Sequence, residues 1–197
     1  MIYDVPALTM LAKACAPEIA TEAVLPLVVT ESRGDPLQIN VNRGPRIRAR
    51  TLADGVSLVR RYVAAGYTVD VGLAQINSAN FARLGVTVEQ AFKPCTNLRL
   101  ASMVLRWGYG VASQRFSGLD AISATYSLYN TGTMTRGLRN GYVGRVWSTA
   151  ATLGSIAAPP PLPLATPGAV MPPAAKPDRR DDWVIGQLAS STVEVFK

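Results

Sequence analysis

Thr21-Glu22-Ala23-Val24-Leu25-Pro26-Leu27-Val28-Val29-Thr30-Glu31-Ser32-Arg33-Gly34-Asp35-Pro36 is an apolar run that ends on a carboxylate. Its spacing predicts a helix from about 18 to 31, with Ile19, Ala23, Leu27 and Thr30 on one face. Pro26 predicts a bend, because an interior proline costs roughly 3 kcal/mol of helix stability. Glu31 is the odd member. The last turn of a helix carries partial negative charge, which disfavours an acid there. Burial disfavours the ionised form as well, so both effects raise the carboxyl pKa. A carboxyl that keeps its proton near neutral pH is what a general acid needs. Taken alone, Glu31 also fits a surface carboxylate at a helix end.

The rest of the composition narrows the chemistry. The chain has 197 residues and no histidine. That excludes Ser-His-Asp and Cys-His catalysis and most zinc sites, and no metal or other cofactor is called for. An enzyme built from this chain would use a carboxyl group as its acid–base catalyst. Hydrophobic residues make up 48%, ample for a core, with no apolar run long enough to predict a membrane span. Residues 1–11 lack a basic start and carry Asp4 and Pro6, so no signal peptide is visible. The net charge of +7 lies wholly in residues 1–157. A basic domain suits an acidic partner such as nucleic acid, anionic lipid or a wall polymer. Arg43, Arg46, Arg48 and Arg50 read more simply as a solvated, charged loop, and no nucleic-acid motif is present.

Working outward, Asp4-Val5-Pro6 starts a helix that runs to about Ala14. Residues 33–50 read as loop. Thr51 caps a helix to about Ala65, and Tyr67 to Val71 alternates like a strand. Thr87-Val88-Glu89-Gln90 is a capping box for a short helix ended by Pro94. Asn97 is expected to cap a long helix to about Arg115, and Asp120 another to about Tyr129. Gly141 to Ile156 completes the series. The fold class is mainly α with a small β element. Pro159 to Pro177 holds eight prolines, an extended linker. The expected organisation is a domain at 1–157, a linker at 158–177 and a flexible tail at 178–197. Trp183 and Phe196 favour the tail as a docking peptide. Cys15 and Cys95 are either two buried thiols or one bridge. A bridge would close about 80 residues and add at most about 4–5 kcal/mol on the chain-entropy estimate.

Three segments stand together: Glu31-Ser32-Arg33, Gly72-Leu73-Ala74-Gln75-Ile76-Asn77 and Tyr129-Asn130-Thr131-Gly132. Singly, the second is an ordinary turn and the third a helix end. In this order and spacing they resemble the lysozyme-like lytic transglycosylases. Ile39-Asn40-Val41-Asn42, Asp70 before Gly72, and Asn140-Gly141-Tyr142-Val143 resemble the branch attached to type IV secretion and conjugation systems. The resemblance covers roughly residues 5–150. It departs at Ala74, where the family usually has Met along the sugar cleft.

The resemblance implies a lysozyme-like fold, a Cys15–Cys95 bridge and a periplasmic home. It implies peptidoglycan glycan strands as substrate, with secretion-system components met through the C-terminal tail. Glu31 becomes the catalytic acid and base. Tyr129 is expected to hydrogen-bond Glu31 or the substrate's N-acetyl group, Gln75 to position sugar, and Ser32 to help hold the reacting ring. Asn130 and Asp70 are further substrate-binding candidates. Glycoside cleavage ordinarily takes two carboxylates, whereas this chemistry takes one. Two alternatives stand beside it. One is a hydrolytic muramidase with Asp70 as second carboxylate, although Asp70 reads more simply as a turn-capping acid. The other is a non-catalytic wall-binding scaffold.

Overall fold

The computed structural model describes residues 1–162. The expected tail at 178–197 and residues 163–177 of the linker lie outside them. The described part is helical with one small sheet, in the order α1 (Val5–Cys15), α2 (Thr21–Ser32), β1 (Ile39–Val41), α3 (Leu52–Ala64), β2 (Val69–Val71) and β3 (Ile76–Asn77). Then follow α4 (Phe81–Leu84), α5 (Val88–Phe92), α6 (Pro94–Ala112), α7 (Gly118–Thr131), α8 (Arg136–Arg139) and α9 (Tyr142–Thr152).

Helix α2 occupies the centre. Val24, Leu25, Pro26, Leu27 and Val28 are all buried, so the helix is apolar around its whole girth. A helix of that kind must be enclosed, and α1 and α9 pack against it. It begins at Thr21, three residues later than expected, with Glu22 rather than Glu18 in its first turn. Glu18 instead sits before the helix and pairs with Arg106. The helix continues through Pro26 as one element. Arg33 ends it in the left-handed conformation, and Gly34 follows at φ 83°. A Cβ on Gly34 would lie 2.2 Å from the Tyr3 carbonyl oxygen, so only glycine lets the chain turn away here.

The segment read as loop contains β1. It pairs antiparallel with β2, and β2 with β3, placing Asn40 opposite Asp70 and Asp70 opposite Asn77. Strands of two or three residues carry too little periodicity to stand out in sequence. Helix α1 is capped by Asp4, whose side chain accepts from the Ala7 amide. The Thr87–Gln90 capping box forms on α5 as expected. Asn97 differs from expectation. Helix α6 starts at Pro94, and Asn97 lies buried inside its first turn. Ser117 precedes α7, with Asp120 in the first turn, and Gly132 ends it at φ 68°. The last helix is shorter than read, Tyr142–Thr152, but Ile156 and Leu162 still pack against the core.

Cys15 and Cys95 form a disulfide between the end of α1 and the start of α6. It closes the segment that holds α2 and the whole sheet. Among the described residues no helix is long and apolar enough to cross a membrane.

Candidate active site

A cavity of about 210 Å³ opens where the end of α2, the sheet and α7 converge. Glu31, Gln38, Asn40, Asp70, Gln75, Tyr129 and Asn130 line it. Four amides, two carboxyls and a phenol offer many donors and acceptors, which suits a ligand rich in hydroxyl and amide groups.

Glu31 is half-buried on the last turn of α2. Tyr142, at the start of α9, donates its phenolic hydrogen to Glu31 Oε1 at 2.5 Å. Burial pushes the Glu31 carboxyl up to about 8. The Tyr142 hydrogen bond pulls it down, the Asp70 charge pushes it up, and Arg145 pulls it down. Desolvation dominates, so the group holds its proton at neutral pH.

The sequence reading offers Tyr129 as a partner for Glu31 or for the substrate's N-acetyl group. The structure gives the Glu31 contact to Tyr142. Tyr129 is buried and donates to the Ala74 carbonyl oxygen at 2.7 Å, bracing the cavity floor. The sequence marks Asn140-Gly141-Tyr142 only as part of the resemblance and gives Tyr142 no site role. The available signal was its place at the head of an amphipathic helix that packs on α2. Asn130 and Tyr142 are linked: Asn140 donates to Asn130 Oδ1 and accepts the Tyr142 amide hydrogen. The cavity wall is thus tied to the residue that holds the acid.

Asp70 is not a turn cap. It sits on the central strand, 5% exposed, and lines the same cavity as Glu31. Asn77 donates to its Oδ1 at 2.7 Å and Asn40 to its Oδ2 at 3.0 Å. Burial pushes its carboxyl up to about 6, while the hydrogen bonds from Asn40 and Asn77, with the Asn42 amide nearby, hold it down. Gln38 and Asn40 joined the site unannounced. Asn40, between buried Ile39 and Val41, carried the period-2 signal once β1 was known.

Gln75 faces the cavity in a strained left-handed conformation, φ 50°. Its amide nitrogen donates to the carbonyls of Gln38 and Gly72, leaving Oε1 for a ligand. Ser32 does not line the cavity. Its hydroxyl donates to the Val28 carbonyl and accepts the Gly34 amide, so it shapes the helix end. Ala74 is fully buried, with its amide bonded to Asn97 Oδ1 at 2.7 Å. Asn97 also donates to the Val71 and Ala91 carbonyls at 2.8 Å each. A Cβ on Gly72 would lie 2.6 Å from the Asn97 side-chain nitrogen. This one buried amide therefore sets the turn between β2 and β3.

A second cleft lies along Ile47, Arg48, Arg50, Thr51, Asp54 and Leu58. Asp54 is committed to the Arg50 amide there. Among the described residues no group of acidic or cysteine side chains could hold a metal ion.

A helical domain with a proton-holding glutamate facing a short β wall is of the lysozyme-like class. Residues 9–145 match the transglycosylase SLT domain, and the chain belongs to that family. It is 36% identical over 151 residues to Protein virB1 of Rhizobium radiobacter, covering 76% of this chain and 63% of that one. It is 32% identical over 179 residues to the type IV secretion system protein virB1 of Brucella suis, covering 87% and 75%. The chain spans just under two thirds of the length of the Rhizobium relative. No solved structure matches it.

Proposed function

We propose that the chain is a peptidoglycan lytic transglycosylase with Glu31 as its acid and base. The supporting observation is a carboxyl shifted to about 8 that faces an amide-rich cavity and is oriented by Tyr142. Glu31 protonates the oxygen leaving from C1 of N-acetylmuramic acid, breaking the β-1,4 bond to N-acetylglucosamine. The substrate's own acetamido oxygen closes on C1 and carries the developing positive charge. Glu31, now ionised, takes the proton of the C6 hydroxyl. The freed O6 attacks C1, and a 1,6-anhydro ring forms. No water enters. Gln75 Oε1 and Asn130 hold the sugar, and Tyr129 braces the floor beneath it.

The relatives' names support a place beside a type IV secretion system. In that setting the enzyme opens the wall locally, in the periplasm. The catalytic domain ends at or soon after residue 157, and residues 178–197 dock a partner.

One observation favours a second reading. Asp70 shares the cavity with Glu31, so a muramidase with two carboxylates is chemically available. Mass spectrometry of products from purified peptidoglycan separates the readings. Anhydro-muropeptides are the expected outcome. Reducing-end sugars would establish the muramidase, and intact wall would leave a binding scaffold.

A further inference from the structure

The sheet presents Asp70 with unusual care. Asn40, Asp70 and Asn77 stand in register across all three strands. Each outer asparagine donates to a different Asp70 oxygen. Asn40 is itself steadied by a bond to Asn42 Oδ1 at 3.1 Å, and Asn42 by Thr68. No cation pairs with Asp70 among the described residues. A buried carboxylate without a counter-charge is costly. Three strands converging to fix one on a cavity wall implies a donor that arrives with the ligand.

The two bonds also limit what this carboxylate does. Both oxygens are held in the row, so Asp70 is poorly free to swing onto C1 as a nucleophile. Each oxygen keeps a further lone pair for a donor in the cavity. On a sugar whose leaving oxygen meets Glu31, the nearest amide donor to C1 is the N–H of the C2 acetamido group.

We infer that Asp70 accepts the acetamido N–H of the reacting N-acetylmuramic acid and turns that group's carbonyl oxygen onto C1. This rests on the transglycosylase reading. The carbonyl oxygen forms a bond to C1 as the C1–O4 bond breaks, and O4 leaves with the Glu31 proton. The nitrogen bears the positive charge of the resulting oxazolinium ion, and its N–H stays hydrogen-bonded to Asp70. When O6 attacks C1, the C1–O bond to the acetamido group breaks, the group is restored, and Glu31 holds the C6 hydroxyl proton. Asp70 gains and loses no proton.

The test uses a thiazoline analogue of N-acetylmuramic acid, which in its N-protonated form presents the ring N–H of the cyclised intermediate and needs no turnover. Calorimetric affinity is measured for the wild type, Glu31→Gln, Asp70→Asn and Asn40→Ala. Asp70→Asn is expected to bind at least about tenfold more weakly while still folding, with a somewhat lower melting temperature because its amide nitrogen faces one of the two asparagine donors. Its kcat is expected to fall by about a hundredfold with KM little changed, as for loss of one preorganised charge contact, and its residual products should stay anhydro. Asn40→Ala keeps the carboxylate but frees Oδ2. It should weaken binding in the same direction, and it serves alone if Asp70→Asn does not fold. Undiminished thiazoline affinity in the folded Asp70→Asn protein overturns the inference, as does a loss confined to KM. Wild-type products with reducing ends would overturn the transglycosylase reading instead, and that result is independent of the affinity ratio.

Discussion

Two walls line the cavity, one helical and one of sheet, and each carries a carboxyl held in a different way. On the helical wall Glu31 receives one hydrogen bond, from Tyr142, and lies at about 8. On the sheet wall Asp70 receives an amide on each oxygen and lies at about 6. Desolvation is the largest cause for both. Asp70 starts from a lower ordinary value and is held down by more donors, each of which favours the charged form, whereas Glu31 is raised further by the Asp70 charge. At neutral pH one wall presents an acid and the other a carboxylate. Paired carboxyls with separated titrations are how acid and base roles become divided in one site.

The strongest way to break this comparison is Glu31→Gln. It keeps shape but delivers no proton, and wall-lytic turnover should fall by at least about a hundredfold with the fold retained. Activity at a tenth of wild type in a muropeptide digest would remove Glu31 from the acid role. Tyr142→Phe is the next largest. It deletes the bond that lowers the Glu31 pKa, so the alkaline limb of kcat/KM should move above about 8. Turnover should drop by about tenfold as the carboxyl loses its orientation. A limb that stays put or moves to lower pH would contradict the assignment.

A smaller effect concerns stability. The folded Glu31 pKa lies above its unfolded value of about 4.5, so the native state binds the proton more tightly. Its contribution is fully present below about 4.5 and is lost as pH rises toward 8. Glu31→Gln has no charge to bury. Its melting temperature should exceed the wild type's by roughly a few degrees at pH 8 and match it near pH 4. Scanning calorimetry at both pH values checks this; a variant less stable at pH 8 would show that Glu31 is not strained by burial. The smallest effect is expected from ending the chain after Leu162. Leu162 is the last described side chain packed on the core, so melting temperature and turnover should stay near wild type. A large loss of either would mean that the domain extends further.

The helical wall was far more legible in sequence than the sheet wall. An apolar run closing on Glu31 declares both the central helix and the misplaced acid, because helix periodicity and helix-end electrostatics act over adjacent residues. The disulfide followed only from family resemblance, since two cysteines do not specify pairing. The sheet wall was hidden. Val69–Val71 was readable as strand, but its three-residue partner Ile39–Val41 and the row of Asn40, Asp70 and Asn77 exist only through register. Tyr142 lay hidden for a related reason: its partner is 111 positions away. Ser32 misled in the opposite direction. Its neighbour Glu31 is the proposed acid, while its own hydroxyl closes on the backbone.

Asn97 has a bearing on how this chain tolerates change. Its amide occupies the space that a methyl group on Gly72 would need, 25 positions earlier. A larger residue at 72 must push that amide aside, and a smaller residue at 97 would make room only by abandoning the Val71, Ala91 and Ala74 backbone groups. Each abandoned buried group costs about 1–3 kcal/mol. The usual escape, a second substitution that repairs the first, is therefore closed at this pair. Drift at either position meets the same barrier, and the turn that carries Gln75 is held to one solution by a side chain outside the cavity.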